Sequence, residues 1–300
     1  LPSSFKNQTI TITERDKMKK ALLALLSAAL VITAMQPSQA QEQKVIAIID
    51  TAIDSSKFNN IVYEVCFTTS TKNNSGTCPN SKTFQEGTGA ANVSNWKLSG
   101  VDHGHNVAKA ATNANPNVKI VFIRYSDQLA TRVHGDMNSM AKALEWVSNN
   151  AVRLNIGGVS ISQASGSYVP STCSKHSAFG LTNKSVVSLS SQNVDVFAAT
   201  GNNSKKDVVG FPACVDGVIG VGAVRPDLVM ASYTNVGPGL DVVARGDAKV
   251  KSYGGWDIDV IGTSIATPVA AVLSVSRGIN GQTQSFISSL TKVSGYPYIG

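Results

Sequence analysis

From residue 45 onward, short runs of consecutive apolar residues alternate with segments whose apolar positions recur every three to four residues. Val45-Ile46-Ala47-Ile48-Ile49 is apolar throughout and ends at Asp50. A continuous run of that length reads as a strand buried on both faces. Further strand-like runs, mostly apolar and rich in β-branched residues, fall at 119–123, 159–162, 194–199 and 217–224. Between these runs, 137–149 sets Met140, Leu144 and Val147 on one helical face, 106–112 reads as a short helix, and 266–278 as a longer one. Strand and helix alternating in one chain predict an α/β fold, a mostly parallel central sheet covered by helices on both faces. Chemistry in such sheets gathers beyond the carboxyl ends of the strands. Asp50, Ser162 and Asn202 lie at or just past such ends. No repeat or linker interrupts the pattern, so 41–300 is expected to be one domain.

The first forty residues break the pattern. Met18-Lys19-Lys20 leads into the apolar run 21–35, followed by Gln36-Pro37-Ser38-Gln39-Ala40. A basic start, an apolar middle and a small-x-small site make a secretory signal peptide over 18–40, cut after Ala40. The run is shorter than the roughly 20 residues of a spanning helix, so cleavage rather than stable membrane insertion is expected. Export is to the periplasm or beyond the cell. Residues 1–17 precede the methionine and read as an untranslated leader. The stretch between Ala40 and Asp50 is too short for a pro-domain.

Composition narrows the function classes. With 42% hydrophobic and 15% charged residues, the chain carries a real core. The net charge of +7 includes basic residues of 1–40, and no Lys/Arg run is interleaved with aromatics, so nucleic acid is not an expected partner. Cys66, Cys78, Cys173 and Cys214 are an even set in an exported chain, which points to disulfides. Three pairings are possible, and the sequential one, Cys66 with Cys78 and Cys173 with Cys214, is expected. The absence of C-x-x-C spacing argues against a metal site.

Four segments carry candidate chemistry. Gly262-Thr263-Ser264-Ile265-Ala266-Thr267-Pro268 sets a serine at the start of a helical pattern. Such a serine either caps the helix or presents its hydroxyl beside free N–H groups and a positive dipole end. Pro268 reads as an early-turn residue, whose missing N–H costs nothing there. Asp50-Thr51-Ala52 ends the first strand, Asp102-His103-Gly104-His105-Asn106 opens a helix, and Ala198-Ala199-Thr200-Gly201-Asn202-Asn203 ends a later strand. Together they supply the carboxylate, imidazole, amide and hydroxyl that acyl transfer by a serine requires.

With these residues in this order, the chain resembles the subtilisin-like serine peptidases. The stretches Phe211-Pro212-Ala213, Val218-Ile219-Gly220-Val221-Gly222-Ala223, Ala231-Ser232-Tyr233 and Val236-Gly237-Pro238-Gly239-Leu240-Asp241-Val242 strengthen the resemblance. It implies a three-layer sandwich and a serine endopeptidase acting on peptide or protein substrates as a monomer without a cofactor. Ser264 would be nucleophile, His103 general base and acid, and Asp50 its orienting partner. Asn202 and the Ser264 N–H would form the oxyanion hole. Substrate would pair in extended form with Ser162-Gln163-Ala164 and with His134-Gly135. The primary specificity pocket would lie between Ala164, Ala199-Thr200-Gly201 and Gly210. Gly210 would leave its floor open to an apolar side chain of moderate size, and Ala164 and Ser165 would narrow its mouth.

The chain also departs from the family pattern. Asp50 and His103 are 53 residues apart, which implies an insertion over 63–96. His105 and Asn106 replace the Thr-His that follows the family's His-Gly, so two histidines compete for the base role. Ala52 replaces a glycine and is strained if that position needs positive φ. Val269 stands in place of the histidine that follows Thr-Pro in the family. Residues 113–117 hold no carboxylate cluster for a tight calcium site, so no metal is expected. These departures leave a second expectation open, a subtilisin-fold protein that binds peptides or a protein partner and turns over weakly or not at all.

Overall fold

A computed structural model describes residues 43–69, 78–128, 133–279, 281 and 283–300. The leader and signal-peptide readings over 1–40 lie outside the described residues. In chain order the main elements are β1 (Val45–Asp50), β2 (Ile61–Phe67), β3 (Phe84–Glu86), α1 (His103–Ala114), β4 (Lys119–Arg124), α2 (Met137–Asn150) and β5 (Ile156–Ile161). They continue with α3 (Phe179–Ser191), β6 (Asp195–Ala199), β7 (Val218–Val224), β8 (Val242–Arg245), α4 (Thr263–Ser276), β9 (Lys292–Val293) and β10 (Tyr296–Ile299).

The ten strands form one sheet in the order β9-β10-β8-β7-β6-β5-β1-β4-β2-β3. All neighbours are parallel except the two edge strands, β3 against β2 and β9 against β10. Side chains alternate faces along a strand. Val45, Ala47 and Ile49 of β1 join Val121 and Ile123 of β4 in one core, under Met140, Leu144 and Val147 of α2 and Val186 and Leu189 of α3. Ile46 and Ile48 join Ile120 and Phe122 in the other, under Val107, Ala108 and Ala111 of α1 and Ala266, Ala270 and Ala271 of α4. Two cores on one sheet make three layers, which is why the strands read as unbroken apolar runs.

The chain leaves β1 to build β4 and β2 on one side and β5, β6, β7 and β8 on the other. The order reverses at β1, so a crevice opens beyond the carboxyl ends of β1 and β5. Asp50 is the last residue of β1, and Ser162 follows β5.

Several elements differ from the sequence reading. Helix α1 starts at His103 rather than 106, and α4 at Thr263 rather than 266. Pro268 is therefore in the second turn of α4, where its missing N–H would have bonded the Ser264 carbonyl. Residues 63–67, expected within an inserted loop, belong to β2 in the central sheet, and a long connection that contains β3 leads from β2 to α1. Helix α3 has no counterpart in the sequence reading, because two of its four buried residues are Thr182 and Ser185. Ala52 is buried and has no positive φ. The disulfides are sequential, Cys66–Cys78 and Cys173–Cys214. No helix among the described residues is long and apolar enough to cross a membrane.

The two disulfides close loops of different length, with sequence separations of 12 and 41. Chain entropy assigns about 3 kcal/mol to the shorter and about 4 kcal/mol to the longer. Urea unfolding of the Cys66→Ala/Cys78→Ala and Cys173→Ala/Cys214→Ala proteins should lose stability in that order. A larger loss from the short loop would contradict the ranking.

Candidate active site

One half of the site forms where β1 meets the first turn of α1. The first N–H groups of a helix lack intrahelical acceptors. Asp102, at the N-cap, makes no side-chain cap bond. Thr51, just past β1, supplies the cap, its Oγ1 accepting the Gly104 N–H at 2.9 Å and donating to the Val101 carbonyl at 3.1 Å. Gly104 must be glycine, because a Cβ there would lie 2.7 Å from both the Ala52 carbonyl and Phe122 Cζ. The positional constraint expected at Ala52 therefore falls on Gly104.

This docking places His103 Nδ1 2.7 Å from Asp50 Oδ1. The same oxygen accepts the Thr51 N–H at 2.7 Å. Asp50 is fully buried, while the His103 side chain remains 33% exposed. Burial alone lowers the pKa of His103, but the Asp50 charge and hydrogen bond, with Asp102 nearby, outweigh it and raise the pKa above the ordinary 6.5. His105 is buried on the other side of the helix, edge-on to Phe58 and Trp96 at centroid distances of 4.9 and 6.2 Å. Burial and then the Lys109 charge push its pKa down to about 4. Of the two histidines, only His103 has a carboxylate partner and an open face.

The other half forms at the start of α4. Gly262, its N-cap, has φ of +149°, a conformation that favours glycine. A Cβ on Gly262 would stand 2.9 Å from Ser264 Oγ and 3.2 Å from Asn202 Nδ2, so these two polar atoms flank one point. Asn202 Oδ1 accepts the Thr263 N–H at 2.9 Å and the Thr263 hydroxyl at 2.8 Å. A backbone N–H can only donate, so the amide oxygen faces Thr263 and the NH2 faces the cleft. Ser264 is second in the helix, and its N–H is among the groups without an intrahelical acceptor.

A cleft of about 210 Å³ joins the halves, lined by His103, Ser162, Gln163, Ala164, Ala199, Gly201, Asn202, Asn203, Thr263 and Ser264. The Gln163 side-chain amide approaches His103 Nδ1 to 3.4 Å. Thr200 and Gly210 do not line the cleft. Thr200 is buried, and its carbonyl accepts the Gly210 N–H at 2.9 Å and Asn235 Nδ2 at 3.0 Å. Gly210 lies behind Ala164, whose Cβ is 2.6 Å from where a Gly210 Cβ would stand. His134 and Gly135 fall on a separate hairpin, Ser126–Gln128 paired with Val133–Gly135. Among the described residues no cluster of three or more His, Cys, Asp or Glu is arranged to hold a metal ion.

Three supporting residues escaped the sequence reading. Thr51 and Thr263 act as above. Asn235, 1% exposed, accepts the Asn203 and Lys205 N–H groups at 3.0 Å each and so holds the loop that carries Asn202. Threonine and asparagine are common in turns, so only the tertiary contacts mark these three.

A model of the subtilase family matches residues 41–275. Among curated proteins the chain is similar to M-protease of Shouchella clausii (strain KSM-K16), 31% identical over 189 residues, which are 60% of this chain and 46% of that protein. Subtilisin BL of Lederbergia lenta is 31% identical over 179 residues, 57% of this chain and 61% of that protein. The chain thus spans about half the length of the curated relatives it matches. Among solved structures, a cold adapted subtilisin-like serine proteinase aligns with a TM-score of 0.61 and 20% identity, over 88% of this chain and 93% of that one. A protease from Pseudoalteromonas arctica PAMC 21717 aligns at 0.63 and 19%, over 85% of each chain. At these identities the structural matches speak for the fold.

The opposed influences on His103 have a direct readout. Its NMR titration midpoint should lie above 6.5 in the wild type and fall below 6.5 in Asp50→Asn, where burial persists without the carboxylate charge. Equal midpoints in the two proteins would show that Asp50 does not govern this ring.

Proposed function

The chain belongs to the subtilase family, and from that premise we propose that it is an exported serine endopeptidase acting on peptide or protein substrates. The observation that carries this reading is the 2.7 Å contact of His103 with buried Asp50, in the cleft that also holds Ser264 and the Asn202 amide. In this reading His103 Nε2 takes the Ser264 hydroxyl proton as Oγ attacks the scissile carbonyl. Asp50 holds the ring in the tautomer with hydrogen on Nδ1 and stabilises the imidazolium. The Asn202 NH2 and the Ser264 N–H receive the oxyanion. His103 then protonates the leaving amine, and water repeats the sequence to release the acyl group from Ser264. The 18–40 pattern and the two disulfides support export.

The primary specificity slot is short. Ala164 Cβ fills the space before Gly210 and lies 3.5 Å from where a Gly201 Cβ would stand. This favours glycine, alanine or serine on the acyl side of the scissile bond, in place of the moderate-sized apolar side chain suggested by Gly210 alone.

A fluorophosphonate probe tests the activity. Purified protein should be labelled, and Ser264→Ala should not. A folded protein that escapes labelling would instead support the peptide-binding alternative. A chromogenic peptide panel tests the slot. The wild type should prefer small residues, and Ala164→Gly should improve cleavage after leucine by about ten-fold or more, the scale of one methylene's worth of pocket. Preference of the wild type for leucine or phenylalanine would overturn the short-slot assignment.

A further inference from the structure

We propose that Gln163 is a positioning residue for His103, its side-chain amide oxygen sharing the Nδ1–H with Asp50 and favouring the protonated ring. The inference rests on the endopeptidase reading for its catalytic meaning. Its physical basis is the side-chain amide of Gln163, whose Nε2 is placed 3.4 Å from His103 Nδ1.

Nδ1 lies 2.7 Å from Asp50 Oδ1, a distance at which it carries the hydrogen and donates it to the carboxylate. An amide NH2 turned toward that ring nitrogen would set donor against donor. The two ends of a glutamine amide have the same shape and are assigned from their surroundings. The inward NH2 is not held by the carboxylate, since Asp50 Oδ2 takes no hydrogen bond among the described residues. A half-turn of the amide puts Oε1 beside Nδ1–H as a longer second acceptor and points the NH2 away from the ring. An acceptor dipole there stabilises the imidazolium that forms during proton transfer.

The charged groups facing His103 are Asp50, at the end of β1, and Asp102, immediately before α1. The cleft residues opposite, Asn202, Thr263 and Ser264, are uncharged. Gln163 enters from the segment after β5, so it adds a contact from a third element to a ring otherwise held by β1 and α1. The residue belongs to the segment expected to pair with substrate, so its backbone would serve binding while its side chain serves the ring.

The test compares wild type, Gln163→Met and Gln163→Glu by two readouts, the NMR titration of His103 and the acid limb of kcat/KM. Loss of a neutral acceptor should lower both midpoints in Gln163→Met by about 0.3 to 1 pH unit, a two- to ten-fold change in proton affinity. A carboxylate in its place should raise them. An unchanged or raised midpoint in Gln163→Met overturns the inference, because an inward NH2 would have opposed protonation. An unchanged midpoint in Gln163→Glu overturns it independently, should the methionine protein fail to fold. A change confined to KM would show contact with substrate alone. The NMR titration needs no turnover, so failure of the endopeptidase reading would appear as absent Ser264 labelling and leave this result legible.

Discussion

The contact of the β1 exit with the first turn of α1 governs the rest of the site. A helix that begins on top of a strand end needs a cap, room for its backbone and a reason to stay in register. Thr51 meets the first need through its hydroxyl, and Gly104 meets the second by having no side chain. The third comes from burying Asp50 with two donors on Oδ1, one from Thr51 and one from His103. A buried carboxylate without partners is strongly disfavoured, so the acid recruits the imidazole as much as it orients it. Any side chain at position 104 would lift the helix from Ala52 and Phe122 and lengthen the 2.7 Å contact on which the ring's basicity depends.

The serine half is built by different means. Its precision comes from backbone groups rather than buried charge. Gly262 turns the chain through a conformation closed to other residues, and the first N–H of α4 fixes the Asn202 oxygen. An asparagine left to itself could present either end to the cleft. Two donors from Thr263 remove that choice, and Asn235 fixes the loop behind it. The two halves thus belong to elements on either side of the point where strand order reverses. The sheet itself sets their separation, since β1 pairs directly with β5, the strand that leads to Ser162.

How much of this could be read from the chain follows from where each signal resides. Strands buried on both faces announce themselves as apolar runs, and β1, β4, β6 and β7 did so almost to the residue. Helix α3 turns Thr182 and Ser185 inward, so its apolar stripe is interrupted and the pattern disappears. The stretch 63–67 of β2 reads as loop rather than strand because only Glu64, Val65 and Cys66 of the strand are fully buried and the rest of it is not. At the site, Asp50, His103, Asn202 and Ser264 were legible through their order and immediate neighbours. The residues that hold them were not. The apolar pattern over 106–112 leaves out the polar first turn of α1, His103-Gly104-His105, although the 102–106 segment itself reads as a helix opening; its cap, from Thr51 just past β1, is a tertiary contact. The strain anticipated at Ala52 became a packing demand on Gly104, the residue whose Cβ would meet the same carbonyl from the other side.

The second histidine close to His103 is where charge decides the outcome. A solvated histidine at 105 would titrate over the same range as His103, and one imidazolium would disfavour the other. Positions two apart on a helix face nearly opposite directions, so the side chain of 105 is carried away from the cleft. It enters a pocket with Phe58 and Trp96, and Trp96 is itself stacked on Tyr253 at 5.0 Å. Lys109, one turn further along, sits over the Phe58 ring at 3.8 Å and adds positive charge nearby. Burial and that charge keep His105 neutral down to about pH 4, against the pull of Asp54, Asp102 and the Lys251 carbonyl. His103 therefore gains its proton with no cationic imidazole beside it, and the raised basicity conferred by Asp50 is left intact. The aromatic pocket, rather than the identity of residue 105, is what keeps this departure from lowering the basicity of His103.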